Sequence, residues 1–445
     1  MVTVLDLPDD VLQLIFHDAC AAYVEIWYDF LRWRDPRPQR PPHHVLSSVC
    51  SRWHHIVQTR ASLWTSIYVF FNTQTIESRW AFIKNSVSEA LAKSRDAPIT
   101  LRVWGTGYEV HPERAENNSL RGIMTLLAEH SSRWKYFRWD MQGINLSPDA
   151  FLPTSLPLPI LEELHLACSA DSDTDVPDAF KHVPRLMRLT AINVAKIDLS
   201  CSQLKTITLS CKNVDNISSI SRQLHNYPLL ESIQCLWVTS THPTDLVLSH
   251  PNVRDLSVPS SDWLDQAYLP SLQTLNCQRI PQLQDLAFLE RSKCALVSLV
   301  IENLTVPRKK SFLPFAPLFR ALRHLTMRCH IHDIEDFIEN ILVPVADMDV
   351  LPVLETVTVT VYPTVIRLGT VRQDAPSISD EPWTSKVLMA YREFVLSHHH
   401  LSLLRLTFHA AKDQAGVEET KAFRDLKDCE RLRRGFKLET KILLI

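Results

Sequence analysis

The sequence predicts an α/β chain in which a short helical module precedes a solenoid, a parallel β-sheet lined by helices. One observation is the stretch Pro270-Ser-Leu-Gln-Thr-Leu-Asn-Cys277, whose apolar side chains fall at positions 1, 4 and 6 counted from Leu272. Some version of it returns along most of the chain, with the alternation of a short strand after one bent entry residue. A second is proline two places before many copies, at Pro159, Pro184, Pro228, Pro251, Pro270 and Pro352. Proline lacks a donor and disfavours helix in the residue before it, so it closes one segment and starts an extended one. The third is helical spacing before residue 65.

Leu7 to Phe16 begins the first helix, with Pro8 expected at its first position and Asp9 and Asp10 complementing the positive end of the dipole. Val11, Leu12, Ile15 and Phe16 form one apolar stripe, continued by Ala19, Tyr23, Ile26, Trp27 and Phe30 to about Trp33. Four prolines within Asp35–His43 stop it and favour an extended linker. Val45, Leu46, Val49, Cys50, Trp53, Ile56 and Val57 predict a second helix. Ser62-Leu63-Trp64 then closes the module before a strand at Ser66–Phe71.

The order Leu7-Pro8, Ile15-Phe16, Val49-Cys50-Ser51-Arg52-Trp53-His54-His55-Ile56 and Leu63-Trp64 resembles an F-box over residues 5–66, with a spacer (19–43) of about 25 residues between its helices. Fungal F-box-like proteins carry such spacers. The resemblance implies docking on the Skp-type adaptor of a cullin-RING ubiquitin ligase. By that resemblance, Leu7, Pro8, Val11, Leu12, Ile15, Phe16, Val49, Cys50, Trp53 and Leu63 are adaptor-contacting or module-core positions. A plain cap over the end of the solenoid hides its apolar residues, whereas an adaptor-binding face leaves some exposed. Pro8 and Leu12 are expected among the exposed ones.

After the module, Glu77–Lys93 and the stretch around Leu120, Ile123 and Leu127 predict helices, and Ile99–Val103 a strand. The repeat series follows: Trp134/Phe137/Trp139, Leu161/Leu164/Leu166, Leu186/Leu189, Leu204/Ile207/Leu209, Leu230/Ile233/Cys235 and Val253/Leu256/Val258. It continues through Leu272/Leu275/Cys277, Leu296/Leu299/Ile301, Leu322/Leu325/Met327, Leu354/Val357/Val359 and Leu401/Leu404/Leu406. Successive starts lie 27, 25, 18, 26, 23, 19, 24, 26, 32 and 47 residues apart. Over 134–408 this resembles the leucine-rich-repeat family, in the irregular form found in many F-box proteins, whose period is about 20–29 residues. The expected divisions are 1–65 for the F-box, 66–411 for the solenoid and 412–445 for a carboxy-terminal cap. Arg372–Pro382 reads as a loop interrupting the array within 363–383, Glu418–Arg434 as a capping helix, and Lys441–Ile445 as an added edge strand.

Strand positions 3 and 5 face away from the inward residues, onto the concave surface. The candidate target-binding surface is Thr206, Thr208, Asp255, Ser257, Thr274, Asn276, Ser298, His324, Thr326, Thr356 and Thr358. Threonine also simply suits an exposed sheet surface. Most of these residues are small and uncharged, and without strong charge of one sign they give no reason to expect a phosphorylated or acidic ligand.

A net charge of −3 gives no basic stripe for nucleic acid. No 18-residue apolar run offers a membrane span and the amino terminus has no basic signal region, so the expected location is cytoplasmic or nuclear. Seven glycines supply no phosphate-cradling loop, and Gly105-Thr-Gly107 lacks a third glycine at Val110. Ten cysteines show no CxxC pair, and Cys168, Cys211 and Cys329 are expected inward as small hydrophobes. Cys329, His330 and His332 make the best metal-like cluster but complete no zinc set. Cys50 and His54 are formally nucleophile and base spacing on a helix, without evident oxyanion donors. No catalytic residue, cofactor or metal is expected. The expected function is target recognition in a Skp-cullin-F-box ubiquitin ligase, without catalysis by this chain. The alternative is a leucine-rich-repeat interaction scaffold whose F-box-like segment is only a cap.

Overall fold

A computed structural model describes residues 7–30, 42–72, 77–106, 116–141, 146–168, 175–194, 196–210, 223–236, 248–259, 264, 266–277, 283–304, 319–330, 353–362, 403–410 and 437–444. It is a mixed α/β protein with parallel strands, divided into two compact units near residues 212–230.

The first unit opens with helices α1 (Asp9–Phe30), α2 (Pro42–Ser47) and α3 (Ser51–Thr59), then a 3₁₀ turn at Ala61–Trp64. Pro8 stands one place before α1, where its carbonyl accepts the Leu12 N–H at 3.0 Å. The expected single helix over 45–57 is two. Ser47 and Ser48 hydroxyls donate back to the carbonyls of His44 and Val45, and Cys50 is extended (φ −159°) as the residue preceding α3. Such side-chain bonds offer the backbone an alternative to helix. Pro42, expected in the linker, instead begins α2, where a first-turn proline sacrifices no helical bond.

Strands β1 (Ser66–Asn72), β2 (Ile99–Thr106), β3 (Trp134–Asp140), β4 (Glu163–Ala167), β5 (Arg188–Ile192) and β6 (Thr206–Ser210) follow, each parallel to the next. Helix α4 (Glu77–Ser94) joins β1 to β2, and α5 (Glu116–Ala128) joins β2 to β3. Trp80, Val87, Ala90 and Leu91 of α4 are buried, as are Leu120, Ile123 and Leu127 of α5. After β3 the connections carry short 3₁₀ turns at Pro148–Ala150 and Asp178–Phe180 among the described residues. The lining is therefore helical at the start of this unit and tighter afterwards.

The second unit contains β7 (Ser232–Cys235), β8 (Asp255–Val258), β9 (Thr274–Cys277), helix α6 (Leu283–Ser292), β10 (Ser298–Leu304), β11 (His324–His330), β12 (Thr356–Tyr362), β13 (Leu403–Ala410) and β14 (Lys437–Leu444). Again each strand is parallel to the next. The edge strand expected at 441–445 is present and begins earlier, at Lys437. The expected capping helix and the loop at 372–382 lie outside the described residues, as do Leu401 and Cys211.

Where burial is described, the inward positions are buried. Leu161, Leu186, Leu204, Leu230, Val253, Leu272, Leu296, Leu322 and Leu354 open their copies with at most 1% exposure, and positions 4 and 6 are buried beside them. Each such side chain contributes about 1.5–3 kcal/mol when fully buried. Cys168 is buried, as expected.

The bent entry has a hydrogen-bond explanation. The position-2 carbonyl of one copy accepts the position-2 and position-3 N–H groups of the next, as Glu162 does from Met187 and Arg188 (2.8 and 3.0 Å) and Arg254 from Gln273 and Thr274 (2.8 and 2.8 Å). Three of the prolines act differently from expectation. Leu161, Leu186 and Leu272 donate to Leu158, Val183 and Leu269, closing four-residue turns with Pro159, Pro184 and Pro270 second. Proline's fixed φ suits that turn position, so here it shapes a tight corner rather than ending a helix.

Candidate functional site

Two kinds of surface emerge: the helical module and the outward faces of the strands. In the module, α1 turns Leu12 and Phe16 inward at 0% exposure, with Phe16 edge-on to Trp53 at 4.7 Å. Ile56, Val57, Leu63 and Trp64 complete this interior, and the Trp64 indole donates to the Val57 carbonyl at 2.8 Å. Arg52 ties α3 to the start of α1 through Asp9 at 2.6 Å and the Leu7 carbonyl at 2.6 Å.

The apolar stripe of α1 therefore divides. Val11, Leu14 and Ile15 remain exposed on one helix face, Ile15 by 47%, while Val45 and Val49 are exposed beyond half. Pro8 is exposed as expected, but Leu12 is not: Trp53 and the 61–64 turn claim its side of the helix, leaving 11, 14 and 15 to solvent. Leu7, Cys50 and Trp53 are half-buried, and Leu63 is buried. The predicted set thus mixes interior and surface, and Leu14 and Val45 belong with the exposed members although the motif did not mark them.

At the end of the spacer, the His43 ring packs on Trp64 at 4.1 Å, and Lys93 of α4 places its ammonium 4.1 Å from the same indole centroid. Burial, then the neighbouring His44, lowers the His43 pKa to about 4. Cys50 and His54 meet through the backbone, the Cys50 carbonyl accepting the His54 N–H at 2.9 Å.

The strand registers fix the outward rows. In the second unit Asp255, Thr274, Ser298, His324 and Thr356 lie side by side, and Ser257, Asn276, Thr326 and Thr358 fall in the row two residues on. His324 Nδ1 meets the Thr356 hydroxyl at 2.8 Å, while Asn276 and Arg328 both reach Glu302 at 3.3 Å. In the first unit Thr206 and Thr208 occupy β6, aligned with Arg188 and Thr190.

The first unit also carries outward residues that the candidate list omitted. One row reads Tyr68, Arg102, Arg138, His165, Thr190, and the next begins Phe70, Trp104, Asp140. Their signal was available, because Tyr136 and Arg138 are positions 3 and 5 of the copy starting at Trp134. Arg138 pairs with buried Asp140 at 2.7 Å, and Arg188 pairs with Glu163. His165 is held neutral, its pKa pushed down to about 3 by burial and then by Arg138 and Arg102.

Cys329 and His330 end β11, and His332 lies outside the described residues. Among the described residues no three metal-ligating side chains converge, and no helix is long and apolar enough to cross a membrane. No protein-family model matches the chain, and no curated protein is recognisably similar to it.

Proposed function

We propose that this chain is the target-recognition subunit of a Skp-cullin-F-box ubiquitin ligase, with leucine-rich repeats as its binding surface. The observation that carries this reading is the division of apolar residues in the amino-terminal module. A cap would hide the stripe, yet Val11, Leu14, Ile15, Val45 and Val49 are left to solvent around an interior that is complete without them. Exposed apolar groups of this kind mark interaction sites, and they occur within the F-box-like order of motifs. Helices α1 to α3 would hold a Skp-type adaptor, and the strand faces would hold the target. Ubiquitin transfer would then be accelerated by proximity to an enzyme recruited elsewhere in the assembly.

The test uses exposed positions, since Leu12→Ala would open the module's interior rather than probe its surface. The full chain and an Ile15→Asp, Val49→Asp double variant are each co-purified with a Skp-type adaptor. The expected result is capture by the unaltered chain and at least a tenfold weaker capture by the variant, as for loss of interface hot spots. Undiminished capture by the variant, or none by the unaltered folded chain, would leave the module as a cap on an interaction scaffold.

A further inference from the structure

We infer that the outward face of β1–β3 is a recognition centre for a single carboxylate, organised on Arg102, and that its occupant is an acidic side chain on an extended segment of a protein partner. This rests on the reading of the strand faces as a target-binding surface.

The Arg102 guanidinium lies between two phenol rings, 5.7 Å from the Tyr68 centroid and 5.2 Å from that of Tyr136. Such contacts orient a guanidinium while leaving its in-plane donors for a carboxylate. The Arg102 Nε is buried and has no hydrogen-bond partner, and among the described residues no carboxylate lies within ion-pair distance of this guanidinium. The neighbouring cations differ: Arg138 is engaged by Asp140 and Arg188 by Glu163. Beyond Arg138 in the row, His165 presents a buried Nε2 that has no partner among the described residues. Because that ring is neutral, it offers a hydrogen bond and no second charge.

Charge selects the occupant. With Asp140 and Glu163 already matched by Arg138 and Arg188, the one cation left over complements a monoanion, while a phosphate dianion would keep one charge unmatched. Geometry adds a second requirement. Phe70 and Trp104, with centroids 5.1 Å apart, lie one outward position further along β1 and β2. That position is two residues, about 6.6 Å, from Arg102, the same distance that separates same-side residues of an extended peptide. The occupant is therefore an acid and an aromatic residue two positions apart.

The experiment measures fluorescence anisotropy of a labelled, capped octapeptide, Ser-Gly-Ser-Glu-Ser-Phe-Ser-Gly, against the full chain. Two further peptides carry Gln or phosphoserine in place of Glu. We expect the Glu peptide to bind at least tenfold more tightly than the Gln peptide and more tightly than the phosphoserine peptide. In Arg102→Met the preference for Glu over Gln should vanish. Equal binding of Glu and Gln by the unaltered chain overturns the site, and needs no variant to fold. A preference for Glu that survives in Arg102→Met overturns Arg102 as its centre, and tighter phosphoserine binding overturns the monoanion. Adaptor capture by Arg102→Met should be unchanged. A chain that prefers Glu through Arg102 but captures no adaptor would retain this site and lose the ligase reading.

Discussion

The outward faces of the two units share one backbone plan and differ in chemistry. In the second unit the rows run through Asp255, Thr274, Ser298, His324 and Thr356 and through Ser257, Asn276, Thr326 and Thr358, mostly short polar side chains. In the first unit the outward positions hold Tyr68, Arg102, Tyr136 and Arg138, with Phe70 and Trp104 one step along. Inward, the units are alike: Leu164 and Leu299 are 1% and 0% exposed. The repeat thus determines the inward half of each strand and leaves the outward half free. The recognition we propose uses the half on which the repeat makes no demand.

The largest expected effects break the shared half. Leu164→Ala in the first unit and Leu299→Ala in the second each remove a buried leucine with little room for collapse. Each should cost about 2–5 kcal/mol, read as a lower denaturant midpoint of the corresponding unit. The two losses should be similar. A loss below 1 kcal/mol at either site would mean that its strand is not stabilised by stacking, and the comparison would fail at its base.

Much of this was legible beforehand, for a definite reason. A period-2 pattern with proline at a fixed offset leaves one register per strand, so Leu161, Leu164 and Leu166 could be placed inward from the sequence. The division of α1 could not. Residues 11 and 15, like 12 and 16, are neighbours four apart on one broad stripe, and packing against α2, Trp53 and the 61–64 turn decides which pair is buried. The role of the prolines was also hidden, since a turn and a helix stop use the same residue. Arg102 depended on a subtler event. Between Ile99 and Thr100 the register with β3 shifts by one, so that Thr100 pairs with Tyr136 and Arg102 with Arg138. Without that bulge Arg102 would stand opposite the inward Phe137.

Acid should affect the first face through His165. Its folded pKa of about 3 lies below the unfolded value of about 6.5, so between these limits the unfolded chain binds the proton and the native one does not. The stability from this group is complete above pH 6.5 and declines as pH falls toward 3. From pH 7 to 5 the loss should be on the order of 1–2 kcal/mol, with His43, lowered to about 4 by burial, adding in the same direction. Denaturant titrations at the two pH values, on the unaltered chain and His165→Gln, isolate the share. An equal acid loss in both would remove His165 from the account.

The smallest effect sharpens the comparison from the other side. Thr274 is half-exposed at the centre of an outward row in the second unit, between Asp255 and Ser298. Thr274→Ala removes a side chain that suits a sheet surface without opening a cavity, so stability should change by about 0.5 kcal/mol or less. Capture of a Skp-type adaptor and the preference for the Glu peptide should both stay unchanged, since one belongs to α1–α3 and the other to β1–β3. Suppose instead that Thr274→Ala abolished the Glu preference while leaving the chain folded. The carboxylate would then be read in the second unit, and the difference between the two faces would lie in composition alone.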